Sequence, residues 1–218
     1  MIVVAIDGPG GVGKSTVAAA LAARLQVPHI DTGAIYRAAT LATVRAGVDP
    51  ADGQSCAEVA ARVDIRRHGG RTFLDDEDVE DAIRGPEVTA LVSQVSSHPP
   101  VRTALLRHQR AGLEHGGVVE GRDAGTAVVP DAHLKVWLTA SPEVRAGRRA
   151  AQIGVTDPAA VASLADELAQ RDASDAQRMR PAADAIMVDT GDAGVDDIVG
   201  DLAARATAAA SAARPKEQ

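Results

Sequence analysis

The chain has 218 residues, 45% hydrophobic and 24% charged, enough for one sizeable α/β domain and too apolar for a disordered chain. A net charge of −7 argues against a nucleic-acid surface, whose signature is a basic stripe, but leaves room for local basic clusters that hold a small anion. A single cysteine, Cys56, rules out an intrachain disulfide and a cysteine-built zinc site, and no apolar run nears the roughly 18 residues of a membrane span, so a cytoplasmic protein away from membranes is expected.

Residues 2–6 form a continuous β-branched and apolar run, the pattern of a strand buried on both faces of a parallel sheet. A glycine-rich turn follows, then an alanine- and leucine-rich helix over 15–25. A second short strand is predicted over 27–30 and a helix over 34–46. Further strand-like runs at 117–120, 134–138 and 185–188 complete five candidate parallel strands separated by helical sequence, the alternation of a doubly wound α/β fold.

Two stretches break that rhythm. Residues 63–80 read VDIRRHGGRTFLDDEDVE, two extended runs around Gly69-Gly70, which predicts a small antiparallel β insert. Helices are expected after it, near 87–97 and 101–114. Residues 148–175 carry arginines, then Gly154, then a Thr-Asp-Pro helix start, and are expected to form a lid over about 148–165 that continues into a helix to 175. The tail from Arg205 is expected to fray. The chain is thus expected to be one unit: a core over about 1–60, 98–147 and 176–218, and an insert over about 61–97. Insert and lid are expected to fold over the crevice when substrates bind.

Gly8-Pro9-Gly10-Gly11-Val12-Gly13-Lys14-Ser15 matches the phosphate-loop pattern GxxxxGK(S/T), directly after a buried strand and directly before a helix. Glycines let backbone N–H groups face inward around phosphates, and the helix N-terminus adds partial positive charge. Gly8 to Ser15, with Thr16, are the expected ATP-binding residues. Lys14 is expected on the β- and γ-phosphates and Ser15 on Mg²⁺. It is one of only three lysines among 23 basic residues.

A chain with no asparagine cannot supply an NKxD-type guanine reader, and it is short for a motor ATPase. Small kinases or a nucleotide-dependent switch remain. Arg37, Arg122, Arg145, Arg148 and Arg149 follow predicted strands, and Arg171 and Arg178 precede the last one. Segments after strand C-termini converge on the crevice of such a sheet, and guanidinium forks grip phosphate. The bland alternative makes the lid arginines surface charges, with Arg145 and Arg149 as i,i+4 neighbours near Glu143. The six histidines fall outside the phosphate loop and read as surface or structural. Tyr36, the only tyrosine, stands beside Arg37 and suits a wall of the acceptor site; Phe73 and Trp137 read as core.

IDTGAIYR (30–37), SQV (93–95) with VRTALLRHQR (101–110), EGRDAGT (120–126) and RDASDAQR (171–178), in this order behind the phosphate loop, resemble the bacterial cytidylate (CMP/dCMP) kinase family. The resemblance runs from residue 1 to about 205. It implies the P-loop nucleoside monophosphate kinase fold, an α/β fold with a five-stranded parallel sheet flanked by helices, a small antiparallel β/helical insert and a short lid. It also implies transfer of the γ-phosphoryl group of MgATP to CMP and dCMP, in pyrimidine nucleotide metabolism, by a monomer, and the acidic net charge adds the expectation of no nucleic-acid partner. Lys14, Arg122, Arg178, Arg148 and Arg149 would be catalytic. Arg37, Arg122 and Arg178 would hold the CMP phosphate, Arg171 and Asp175 the ribose, and Ser93, Arg102 and Asp123 the cytosine, with Thr32 and Tyr36 lining the acceptor site. Glu120, where family members often have Asp, would reach Mg²⁺ through water. Another acceptor (UMP, dTMP or a small hydroxyl compound) and a switch that no longer transfers phosphate stay open as alternatives.

Overall fold

The computed structural model describes residues 1–176 and 179–213. They divide into two compact units: Met1–His29 with Gly112 onward, and Ile30–Ala111. The insert expected over 61–97 lies inside the second unit, which extends beyond it at both ends.

The first unit is built on the strands β1 (Val3–Asp7), β2 (His29–Asp31), whose remaining residues open the second unit, β6 (Gly117–Glu120), β7 (Leu134–Thr139) and β8 (Ile186–Asp189). They form a five-stranded parallel sheet in the order β2-β6-β1-β7-β8, with Val4 opposite Val118 and Leu134. The doubly wound reading is borne out. On one face Val4, Ile6, Val118, Val136 and Leu138 pack under helices α1 (Lys14–Leu25) and α8 (Val195–Ala212), which contribute Val17, Leu21, Ile198 and Leu202. Fully burying a leucine such as Leu202 is worth about 1.5–3 kcal/mol. The tail expected to fray is helical as far as Ala212, because Ala206 and Ala210 are buried; residues 214–218 lie outside the described residues.

Side chains alternate along β1, so Asp7 points to the opposite face from Ile6. There it meets a single π-helical turn, Ala124–Val128, that follows β6. Beyond β7, helices α6 (Pro142–Ile153) and α7 (Pro158–Asp175) pack on each other. Ser141 and Asp157 cap them, and Gly154 ends α6 in the left-handed conformation at φ 71°. The lid expected to begin at 148 therefore begins inside a helix that starts six residues earlier.

In the second unit α2 (Thr32–Arg45) packs with α3 (Gly53–Arg62), α4 (Pro86–Val95) and α5 (Pro99–Arg110). The small antiparallel sheet β3-β4-β5 (Ile65–His68, Arg71–Leu74, Glu77–Asp78) completes it, turning at Gly69-Gly70 as predicted. No element is predicted over 53–62; Asp52 starts α3 there by accepting from the Gln54 and Ser55 amides. Alanines let neighbours approach α2 closely. Its buried Thr40 and Thr43 satisfy themselves by donating to the Tyr36 and Ala39 carbonyls.

Candidate nucleotide site

The phosphate loop runs from the end of β1 into α1. Gly8 must be glycine, because a Cβ there would stand 2.4 Å from the Leu138 carbonyl oxygen. Gly13, the N-cap of α1, sits at φ 90°, a left-handed geometry that side chains resist. Lys14 folds back across the loop and donates to the Gly8 and Pro9 carbonyls at 2.8 and 2.7 Å. Its ammonium is hemmed in by protein although the residue keeps some solvent contact. Burial, and then the Arg122 cation, push its pKa down to about 8. An anion arriving at the loop would relieve both. Ser15 and Thr16 are exposed at the first turn of α1.

Ser15 Oγ donates to Glu120 Oε2 at 2.9 Å. The other oxygen of this buried carboxylate accepts from His29 Nε2 at 2.8 Å. A carboxylate only accepts, so Nε2 carries the proton. The histidine that reads as structural in the sequence thus orients an acid beside the phosphate loop. Hydroxyl and carboxylate are hard oxygen donors that fit magnesium. Among the described residues no group of three or more His, Cys, Asp or Glu could hold a metal by itself, so nucleotide oxygens would have to complete the shell.

Asp7 is the buried acid that the sequence reading passes over. It accepts from the Ala124 and Gly125 amides at 2.7 and 2.8 Å and so pins the GRDAGT segment to the sheet. Burial raises its pKa to about 6, against the lowering effect of those two amides.

Within the same unit the arginines gather around the loop. Arg122 Nε donates to Asp175 at 2.7 Å, and its Nη1 to Asp172 at 3.3 Å. Arg148 reaches back to the Val12 carbonyl and to Thr190, the residue after β8. Arg171 has its Nε buried without a partner among the described residues, and burial lowers its pKa. An orphaned guanidinium nitrogen here is a donor in want of an acceptor. Arg149 bonds Gln152 on its own helix, and its charge acts on Arg171. Arg145, read in the sequence as a crevice arginine with a helix-surface charge as the alternative, donates from Nε to the Gly10 carbonyl at 2.6 Å and is mostly buried. Asp123 follows β6, where its carbonyl accepts from the Ala127 amide. Arg178 lies outside the described residues.

The second unit holds the other predicted residues. Asp31 caps α2 by accepting from the Ala34 amide, which places Thr32, Tyr36 and Arg37 on its first turns. The Arg102 guanidinium sits 5.3 Å from the centroid of the Tyr36 ring, a cation–π contact, and donates to the Ser96 carbonyl. Arg37 donates to the Ile83 carbonyl and Thr89 Oγ1, both at 2.9 Å. Ser93 is half-buried on α4.

A phosphate loop between a buried parallel strand and a helix, with arginines drawn to its mouth, defines a P-loop phosphotransferase. A solved gluconokinase from Sinorhizobium meliloti shares the fold, with TM-score 0.52 and 16% identity over 97% of this chain and 94% of that one. The family model described as cytidylate kinase matches residues 4–208. A cytidylate kinase of Mycobacterium avium is 48% identical over 208 residues, 88% of this chain and 89% of that protein. One from Rhodococcus jostii is 47% identical over 214 residues, covering 92% and 93%. The chain belongs to the cytidylate kinase family, and it is an enzyme of the nucleoside monophosphate kinase class.

Proposed function

We propose that the protein transfers the γ-phosphoryl group of ATP to CMP and dCMP, forming CDP and dCDP for pyrimidine nucleotide metabolism. The observation that carries this reading is that the cytidylate kinase family model matches residues 4–208, phosphate loop included, and relatives named cytidylate kinase cover 88–92% of the chain. The attacking atom is an oxygen of the CMP phosphate, whose second pKa is about 6, so it is largely ionised at neutral pH and needs no general base. Catalysis then reduces to positioning and charge neutralisation. Lys14 turns from the loop carbonyls to the β- and γ-phosphates of ATP, and the backbone N–H groups of the loop from Gly8 to Thr16, Pro9 excepted, hold the rest of the polyphosphate. Ser15 and, through water, Glu120 would hold the magnesium that the nucleotide brings, which would supply further positive charge. Arg37, Arg122 and Arg178 take the CMP phosphate; Arg148 and Arg149 act from the lid.

Arg171 and Asp175 take the ribose, a role supported by the orphaned Arg171 Nε. Ser93, Arg102 and Asp123 read cytosine, with Thr32 and Tyr36 lining the acceptor. A carboxylate accepts from the 4-amino group and an arginine donates to N3 and O2. Uracil would turn an oxygen towards Asp123, and a buried unpaired group costs about 1–3 kcal/mol, roughly ten- to hundredfold in selectivity. The protein works as a cytoplasmic monomer without nucleic acid, and the net charge of −7 supports the last of these. No helix among the described residues is long and apolar enough to cross a membrane. The test is ADP release from MgATP with CMP, dCMP, UMP, dTMP and AMP in turn. CMP and dCMP should lead clearly; UMP turnover equal to CMP overturns the cytosine reading.

A further inference from the structure

Asp172 stands on α7 directly after Arg171, and none of the roles above uses it. Its carboxylate is largely buried and collects three donors. Oδ1 accepts from the Gly10 amide of the phosphate loop and from Arg122 Nη1, each at 3.3 Å. Oδ2 accepts from Arg145 Nη2. Arg145 also donates from Nε to the Gly10 carbonyl at 2.6 Å. One carboxylate and one arginine thus hold the Gly10 residue by its N–H and its C=O. The packing leaves little slack, because a Cβ on Gly10 would stand 3.2 Å from Leu168 Cδ2, one turn back on α7.

Two guanidiniums at the mouth of a phosphate loop repel each other until something negative lies between them. Asp172 is that anion, and its two oxygens fix the direction of each fork as well as its charge. Both arginines come from elements other than the loop, Arg122 from the segment after β6 and Arg145 from α6. Side-chain entropy would otherwise let them sample many rotamers.

We propose that Asp172 is a positioning residue for phosphoryl transfer: it touches no substrate and acts by fixing Arg122 and Arg145 at the Gly10 edge of the phosphate loop, where their charge meets the transferring group. The proposal rests on the reading of the chain as a kinase of CMP. A donor misplaced by about 1 Å is enough to lose roughly a hundredfold in rate while ground-state binding barely changes. Asp172→Asn keeps the shape but not the charge, and Arg145→Lys keeps the charge but not the fork.

The test measures kcat and KM for CMP and MgATP in the wild type, Asp172→Asn, Asp172→Glu, Arg145→Lys and the double variant Asp172→Asn/Arg145→Lys, with ATP affinity from calorimetry. Asp172→Asn should lower kcat about 10- to 100-fold with both KM values within about threefold. The double variant should lose well under the product of the two single losses, because one change already spoils what the other acts through. Wild-type kcat in Asp172→Asn, multiplying losses, or tighter ATP binding overturns the proposal; the last outcome would mean that Asp172 merely fills the place of a phosphate. If Asp172→Asn fails to fold, Asp172→Glu decides: lowered kcat at unchanged KM supports the proposal and wild-type kcat overturns it. A wild type inactive on CMP removes the kinase reading and this inference together. An active wild type with an indifferent Asp172→Asn removes the inference alone.

Discussion

The two compact units spend the same residue types, arginines and acids, in different surroundings. Around the phosphate loop the acids are inside the protein: the Asp175 side chain is 4% exposed and that of Asp172 14%, and each holds Arg122. In the unit from Ile30 to Ala111 Arg67 meets Asp31 and Glu80 at 12–15% exposure, but the outward pairs of the small sheet lie in water. Asp76 is 87% exposed beside Arg66, and Glu77 57% exposed beside Arg45. Breaking a buried pair strands a charge in low dielectric, whereas water replaces a lost partner at the surface. The first arrangement therefore fixes directions around a reaction, and the second mainly keeps a small sheet soluble.

The sharpest way to break this contrast is Lys14→Ala. Removing the cation that meets the β- and γ-phosphates should lower CMP-dependent ADP release at least about a hundredfold. The same change should leave the thermal midpoint at pH 7 level or higher, because the folded chain carries this ammonium under strain from burial and from Arg122. A variant that keeps its activity would take the phosphate loop out of the mechanism.

A second test follows from the same side chain. Folding lowers the Lys14 pKa from 10.5 to about 8, so the folded state binds fewer protons than the unfolded one between those values. Stability from this group is therefore present above the unfolded pKa and is lost as pH falls through about 8. Polyphosphate favours the charged form, so binding ATP draws the pKa back up. Calorimetry in buffers of different ionisation enthalpy should detect uptake of roughly half a proton at pH 8. ATP affinity should be flat below that pH and fall towards tenfold per unit above it. Affinity independent of pH from 7 to 10 would show that Lys14 stays fully charged in the free protein.

The fold was legible because its signals are local and redundant. Buried parallel strands read as apolar runs, and a phosphate loop needs glycines at fixed offsets. At β2 the predicted strand over 27–30 slid to His29–Asp31, since Pro28 has no N–H to give a ladder, although its carbonyl still accepts from Val118. The misses in the site share one cause, because partners far apart in the chain leave no spacing to read. For Arg145 the crevice and the helix surface stay open as alternatives until α6 is seen to aim it at Gly10, 135 residues earlier. His29 and Glu120 are 91 residues apart, and Asp7 meets its amides across 117 and 118 residues. Asp172 alone had a usable signal: it lies one residue from Arg171 and three from Asp175 on a helix, so the RDASD segment offers a second acid to the same crevice.

A smaller effect separates burial from charge in the second unit. Gln109 on α5 is fully buried, and neither its Nε2 nor its Oε1 has a partner among the described residues. Burying an unsatisfied amide costs about 1–3 kcal/mol, so Gln109→Met, similar in length and apolar, should stabilise the protein by about 1 kcal/mol. For a chain of this size that raises the melting midpoint by roughly 2–4 °C. A lowered midpoint would mean that the amide has an acceptor and a donor after all, such as an ordered water.

The smallest effect belongs to Arg71, which ties β4 to Asp78 on β5 and to Asp81 just beyond the small sheet. Two contacts from one guanidinium look like a strong clamp, and the Asp78 partner does hold the arginine pKa up and its own down. Yet the arginine is 49% exposed and Asp81 94% exposed, so solvent screens both contacts and competes for every donor. The sheet is held instead by Ile65 and Leu74, which face each other across β3 and β4 and are buried. Arg71→Gln should melt with the wild type within the scatter of replicates. Both should respond alike to 1 M salt, where the Debye length is about 3 Å. A clear drop confined to low salt would show the exposed acids of this sheet acting as a network, and the contrast between the two units would then rest on connectivity rather than on burial.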